Sequence, residues 1–506
     1  MMILKQIYFF IISLALLIIG YFTYGKYVAR VFGPDPSRET PCYTHQDGID
    51  YLPMPTWKVF MIQFLNIAGV GPIFGAIMGS QFGTVSYLWI VFGTIFAGAT
   101  HDYLAAMISL RQNGASLPDL IGKYLGKFNK RMMTIFILVL LILVGAVFTS
   151  SPASIFTELS VDIIPSSINL YLWIVLIFTY YIIATLLPID KVIGKIYPFF
   201  AFCLIFMAVG IGGYILIAQP ELKEWWDEGA FVNADWMATS KLDHVFPMMF
   251  ISIACGAISG FHATQSPMMV RCMKNEKLGR PCFYGAMVTE GIIALIWAAA
   301  ATVFFGENGL INELTGKGYD GASVATRISQ NWLGLLGSIF ALLGIAFAPI
   351  SSGDTALRSA RLIISDAIGL KQSSIRNRLV ISIPIFVLSA ALLIWSMTDK
   401  NGFGMLWRYF GWSNQALSVF TLWAITVYLG IHKKNFWITL IPAFFMTVVT
   451  TSFICYLSPG GFGFSYQTSL IIGVVFAIIL TALYFYAKVK YFEGKFKESF
   501  QPEKRT

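Results

Sequence analysis

The chain has 506 residues, of which 57% are hydrophobic and only 12% charged, and its mean hydropathy is +0.70. A water-soluble domain carries roughly a quarter charged residues, so this composition excludes a soluble globular protein and specifies a polytopic membrane protein. The net charge of +9 is spread in a way that excludes nucleic acid as a partner, because it follows the alternation of loops described next.

Taken in chain order, apolar runs long enough to cross a bilayer are expected near 7–25, 57–79, 83–110, 132–149, 169–188, 197–218, 246–269, 284–305, 330–349, 379–397, 405–431, 436–455 and 467–488. The expectation is therefore an all-α polytopic membrane protein of about 13 transmembrane helices. Most of the 35 Lys and Arg residues fall in alternate loops, with 111–131, 270–283, 350–378 and the tail after Ala487 the richest. The opposite loops are acidic or nearly uncharged; 219–245 carries six carboxylates and two lysines. The positive-inside rule then places the C-terminus in the cytoplasm and the N-terminus outside, with the basic excess facing anionic lipid. The first run is flanked by Lys26 and Arg30 and lacks a small-residue cleavage site, so it reads as a retained anchor. The six cysteines are scattered without a CxxC pair, and neither disulfides nor a metal site is expected.

The runs divide as one, five, five and two. The expected parts of this single membrane domain are an N-terminal helix and loop (1–56), a first five-helix repeat (57–218), a second (246–431), two C-terminal helices (432–488) packed around the core, and a disordered cytoplasmic tail (489–506). An odd number of spans per half inverts one half relative to the other, which is the LeuT-like 5+5 plan. Local echoes support the pairing. GASLPDLIGKYLG (114–126) is answered by GASVATRISQNWLG (321–334), each reading as a short amphipathic helix before the third span of its half. Those third spans end in FTSSPAS (148–154) and APISSGD (348–354).

The opening span of each half is broken. NIAGVGPIFGAIMG (66–79) and IACGAISGFHATQSP (253–267) put glycines, a proline and hydrogen-bonding side chains where an ordinary span carries Leu and Val. Unwound backbone is tolerated inside a bilayer only where it is buried in protein or lines a cavity, and a matched pair of breaks points to a secondary transporter's substrate site. The expected substrate-binding residues are Gln63, Asn66, Gly69 and Gly71 from the first break. The second contributes Gly256, Ser259, Gly260, His262 and Gln265, and the tenth core helix adds Asn414, from RYFGWSNQ (408–415). Close helix packing is the alternative explanation for the glycines. For His262 the alternatives are a carboxylate contact, a proton relay or a bond to a neighbouring helix.

Two sets of residues could couple transport to an ion. At the end of the ninth run, Pro349 is expected to interrupt the helix and to leave Ser351, Ser352, Asp354 and Thr355 as an oxygen-rich nest suited to Na⁺, although Asp354 could simply pair with Arg358 one turn on. Asp102 and Glu290 could carry a proton, although both fall near the expected cytoplasmic interface, where a solvated carboxylate needs no function. No Walker A, HExxH or GxSxG motif occurs, so the chain reads as a non-enzyme with no cofactor beyond a coupling H⁺ or Na⁺.

AGVGPIFGAIMG (68–79), ACGAISGFHATQSP (254–267), SSGDTALRSARLIISD (351–366), RYFGWSNQ (408–415) and QDGIDYLP (46–53), with FAGATHDYLAAMISLRQNGASL (96–117), resemble the carbon starvation protein A (CstA) family from about residue 45 to 430, in its shorter form. The family often has Gln-Asp where this chain has His101-Asp102. The resemblance implies an inner-membrane nutrient transporter of the LeuT-like superfamily, with peptides or pyruvate as substrate and proton coupling. It supplies no settled list of functional residues. The expected function is thus peptide import by alternating access in response to carbon starvation, with a pyruvate symporter and a membrane nutrient sensor as alternatives. Beyond substrate and the lipid bilayer, no obligatory protein partner is expected.

Overall fold

The computed structural model describes residues 7–48, 50–186, 189–222, 224, 245–305, 321–370, 372, 374–398, 402–458 and 460–492. Most of the acidic loop 219–245 and the tail beyond residue 492, about which the sequence carried expectations, lie outside the described residues.

Among the described residues every regular element is helical. The first helix, α1 (Tyr8–Phe32), ends where Gly33 takes a left-handed φ of +68° and returns its N–H to the Ala29 carbonyl. Helices α2 (Thr56–Ile67) and α3 (Gly71–Ser80) form a bent pair with an angle of 53°. The next rod, α4, runs through Val85–Phe92, a π turn at Gly93–Gly98, and Ala99–Arg111. A short α5 (Leu117–Leu125), opened by Ser116 and Pro118, is separated by Gly126 (φ +95°) from the long α6 (Lys127–Leu159). Then come α7 (Ser166–Leu186), α8 (Ile189–Ala218), the broken pair α9 (Val245–Ile253) and α10 (Gly260–Val270), and α11 (Gly285–Phe305). The chain closes with α12 (Gly321–Ile368), α13 (Ile375–Thr398), α14 (Gly402–Ile431), α15 (Trp437–Tyr456) and α16 (Tyr466–Ala487).

Among the described residues eleven helical spans are long and apolar enough to cross a membrane, with α9 and α10 counted together, or twelve if the bent α2–α3 pair is one span. That is fewer than the thirteen expected, and the difference lies at 83–110. This stretch is helical as α4, but a π turn divides it and Thr100, His101 and Asp102 interrupt its apolar surface, while its neighbours bury every residue from Ala99 to Leu110. The two echoed segments are both helical: α5 covers the first, and the second forms the start of α12 up to a bend at Gly334 (φ +64°). Pro349, expected to interrupt its helix, does not; α12 passes through it, as α6 passes through Pro152. A proline inside a helix orphans the carbonyl four residues back. For Pro152 that is Phe148, and the buried Tyr181 hydroxyl supplies the missing donor at 2.7 Å.

α12 packs along α6 and α8 and against α2 and α10, and α14 packs on α10 and α6, while α1 lies against α4 and α11 and the α15–α16 hairpin leans on α14. The basic segments meet at one end. There Glu276 is buried and accepts from Arg111 Nη2 (2.9 Å), Arg111 Nε (3.1 Å) and the Asp35 N–H (2.6 Å), and lies 3.8 Å from Arg38. At the other end Glu224 accepts from the N–H groups of Tyr8 (2.6 Å) and Phe9 (2.8 Å).

Candidate functional site

The two breaks face each other. A Cβ at Gly71 would stand 2.4 Å from the Cys255 side chain, one at Gly75 would stand 2.8 Å from the Ser252 carbonyl, and one at Gly256 would stand 2.7 Å from the Ala294 Cβ. Gly69 abuts Phe148 and Ser352, and Gly260 abuts the backbone of α14, 2.4 Å from the Ser418 nitrogen. All four glycines expected at the substrate site (Gly69, Gly71, Gly256 and Gly260) are therefore points of close helix approach, as small residues often are in membrane bundles.

The second break is fastened to α14 by amide side chains. Asn414 Oδ1 accepts from Ser259 Oγ (2.9 Å) and the Phe261 N–H (2.7 Å), its Nδ2 donates to Cys255 Sγ (3.0 Å), and Gln415 Nε2 donates to the Ile258 carbonyl (2.8 Å). Asn414, expected to bind substrate, gives its amide oxygen and one amide proton to holding the unwound segment. Within this break Ala254 keeps a φ of +32°, a left-handed conformation that costs an L-residue about 1–2 kcal/mol. Gln265 is held by Thr264 (2.8 Å) and Ser359 (3.3 Å).

The first break differs. Gln63 and Asn66, one turn apart at the end of α2, are fully buried, and all four of their amide atoms lack a hydrogen-bond partner. Leaving a buried polar group unpaired costs about 1–3 kcal/mol. Two whole amides in that state stand beside the helix break.

A third cluster joins three helices, α4, α10 and α11. His262 Nδ1 lies 2.8 Å from Asp102 Oδ2, His101 Nδ1 lies 2.8 Å from Asp102 Oδ1, and His262 Nε2 lies 3.4 Å from Glu290 Oε2, all four side chains being wholly buried. The π turn of α4 positions Asp102 by packing on the second break. A Cβ at Gly98 would stand 2.2 Å from the Ala257 carbonyl, Thr94 donates to the Gly256 carbonyl (3.1 Å), and Tyr284 donates to the Ile95 carbonyl within the turn (2.8 Å). π turns inside α-helices recur at functional sites. Asp102 and Glu290 are thus not at a solvated interface, as their sequence positions implied; neighbouring helices enclose both.

The fourth group surrounds Asp354. Ser351 and Ser352 both donate to the Leu65 carbonyl of α2 (3.2 and 3.0 Å) and to Ala348, and Thr355 donates to the Ser351 and Ser352 carbonyls. Asp354 accepts from Tyr197 (3.2 Å). Arg358 does not close on Asp354 as a one-turn pair; it donates to the Ala184 carbonyl and reaches toward Asp50 (4.0 Å). The three tyrosines around Asp354 (Tyr180, Tyr181, Tyr197) were not singled out from the sequence; their signal was a run of aromatic hydroxyls in otherwise apolar spans.

The basic end is covered by the segment before α2. Met54 N–H donates to the Cys272 carbonyl (3.1 Å), Tyr51 donates to the Asn113 carbonyl (3.0 Å), and Arg271 sits 5.0 Å from the Tyr51 ring centroid. Cys272, between two spans, is buried here, and burial pushes its thiol up to about 12. We expect maleimide to modify Cys272 slowly at neutral pH and Tyr51→Ala, which removes both Tyr51 contacts, to speed the reaction. Peptide mass mapping reads the rate; an unchanged rate means that this segment does not cover the site.

The model of the family described as carbon starvation protein CstA matches residues 5–170, 161–335 and 306–453. A membrane protein of Haemophilus influenzae is 42% identical over 336 residues, spanning 58% of this chain and 91% of that protein. The peptide transporter CstA of Escherichia coli is 24% identical over 560 aligned positions, 87% of this chain and 79% of that protein. The pyruvate/proton symporter BtsT of the same organism is 28% identical over 347 residues, 58% of this chain and 48% of that protein. Among solved structures, a manganese transporter of Eremococcus coleocola aligns with 88% of this chain and 97% of its own, at a TM-score of 0.51 and 14% identity, a likeness of fold alone. With the family model matched along nearly the whole length, the chain belongs to the carbon starvation protein CstA family.

Proposed function

We propose that this protein is a secondary active transporter that imports small peptides across the cytoplasmic membrane by alternating access, driven by a proton or sodium gradient, in cells short of carbon. The observation that carries the proposal is the pair of buried, unpartnered amides, Gln63 and Asn66, at the break between α2 and α3. A dipeptide offers what they lack: a peptide N–H and C=O for the amides, and a carboxylate for the N-terminal end of α3, where the helix dipole is positive. Asn414, Gln415 and Ser259 act in support by holding the facing break and Gln265 lines it, while His262 turns both ring nitrogens to Asp102 and Glu290. The relatives named as peptide transporters support the substrate, and the relative named as a pyruvate/proton symporter supports the proton as coupling ion.

The two halves, 57–218 and 246–431, serve as inverted repeats that rock about the paired breaks, with the C-terminus in the cytoplasm, where the basic loops gather. The experiment is uptake of labelled alanyl-alanine and of pyruvate into proteoliposomes under separately imposed proton and sodium gradients. Peptide accumulation supports the reading, and accumulation of pyruvate alone replaces the substrate with a monocarboxylate. Binding without counterflow would replace the carrier with a sensor.

A further inference from the structure

The geometry points to His262 as the carrier of the coupling proton, shared with Glu290 on one side and Asp102 on the other. This rests on the symport reading above and selects one of its two possible coupling sites.

Both ring nitrogens of His262 face a carboxylate, Asp102 Oδ2 at 2.8 Å and Glu290 Oε2 at 3.4 Å. A neutral imidazole has one N–H and one lone pair. If the N–H is directed at Asp102, the lone pair on Nε2 meets the Glu290 carboxylate, and two acceptors confront each other with no proton between them. One added proton removes the conflict. It can sit on Nε2, giving an imidazolium that donates to both acids, or on Glu290 Oε2, giving an acid that donates to Nε2. The two forms differ only in whether an N–H or an O–H bond holds the proton, so the step balances without another reactant. His101 supplies its own Nδ1 to the second oxygen of Asp102 (2.8 Å) and fixes that carboxylate in place. The groups facing His262 are Asp102 from α4, Glu290 from α11 and the Cys255 thiol from its own broken segment.

The gap to Glu290 gives the proton a reason to follow the motion. At 3.4 Å it exceeds the usual N–H···O range of 2.7–3.2 Å, and no hydrogen bond reaches either Glu290 oxygen. Glu290 is held from behind, since its neighbour Gly291 packs on Thr94, 2.6 Å from where a Cβ would be. His262 instead lies two residues past the second break, on a segment tied to α14. A small shift of the break closes or opens the His262–Glu290 contact and so takes up or releases the proton. By contrast, Ser351, Ser352 and Thr355 all direct their hydroxyl protons to backbone carbonyls, an arrangement that ties α12 to α2.

The test uses wild type, His262→Gln and Glu290→Gln in proteoliposomes, with labelled alanyl-alanine and pyruvate as probes. Accumulation driven by an inward proton gradient is compared with counterflow at equal pH. Both variants are expected to lose accumulation and to keep counterflow, because exchange needs the moving parts and not the coupling. A His262→Gln protein that still accumulates substrate overturns the assignment. So does loss of counterflow in both variants when they remain monodisperse, since that describes a structural role. If wild type itself neither accumulates nor exchanges either probe, the transport reading is at fault. Infrared pH-difference spectra then decide the present one: a carboxylic acid C=O band is expected in wild type and absent in Glu290→Gln, and identical spectra overturn the assignment.

Discussion

A Gln63→Leu/Asn66→Leu double variant is expected to be more heat-stable than wild type and to transport nothing. Each amide is buried without a partner, and replacing such a group by an apolar one of similar size removes a desolvation cost of about 1–3 kcal/mol. Together the substitutions should raise the unfolding temperature in detergent by a few degrees, as read by scanning fluorimetry. The same change removes the donors and acceptors to which we assign the substrate, so counterflow of alanyl-alanine should vanish. A destabilised variant would show that unseen partners satisfy these amides at rest, and a stable variant that still transports would move the substrate site elsewhere. Stability and function moving in opposite directions is the mark of a residue kept for its chemistry.

Gly260→Ala should be strongly destabilising. The added Cβ would stand 2.4 Å from the Ser418 nitrogen and 2.6 Å from the Asn414 carbonyl oxygen and the Leu417 carbonyl carbon. All three are backbone atoms in the middle of α14, so no side chain can swing aside. α10 and α14 must separate, and with them go the Asn414 bonds to Ser259 and Phe261. Lost packing and orphaned polar groups together cost several kcal/mol, a large part of a typical net stability. We expect little monodisperse protein on size-exclusion chromatography and no uptake. Gly213→Ala is the control: no atom lies within 4 Å of that Cβ, and alanine in a helix interior is favoured by about 1 kcal/mol. Comparable yields from the two variants would refute the close approach.

Both variants probe features that the chain announces in different degrees. The breaks were legible because glycine, proline and hydroxyl residues interrupt runs that are otherwise Leu, Ile and Val. The short helix at 117–125 was legible from its Ser-Leu-Pro start and glycine end. The inertness of Pro349 was not, because whether a proline breaks a helix depends on what tertiary packing offers the neighbouring carbonyls. The His262 cluster was hidden for a related reason. His262 and Asp102 stand 160 positions apart, and no periodicity within either span signals that their faces meet. Asn414 shows a further limit: an amide in a span marks a polar demand, and no local pattern tells that the unwound segment of another helix meets it.

The two carboxylates at the ends of α1 have a mechanical consequence. Glu276 anchors the segment after α1 to α4 and to the turn before α11, and Glu224 grips the first N–H groups of the same helix from the segment that follows α8. α1 is thus a strut clamped at both faces of the bundle, spanning about 38 Å at 1.5 Å per residue over its 25 residues. A strut of fixed length resists any motion that draws the two clamps apart and leaves tilting about them free. On the alternating-access cycle proposed above, opening to either side is expected to tilt the bundle about α1 and to leave the distance between its two clamps unchanged.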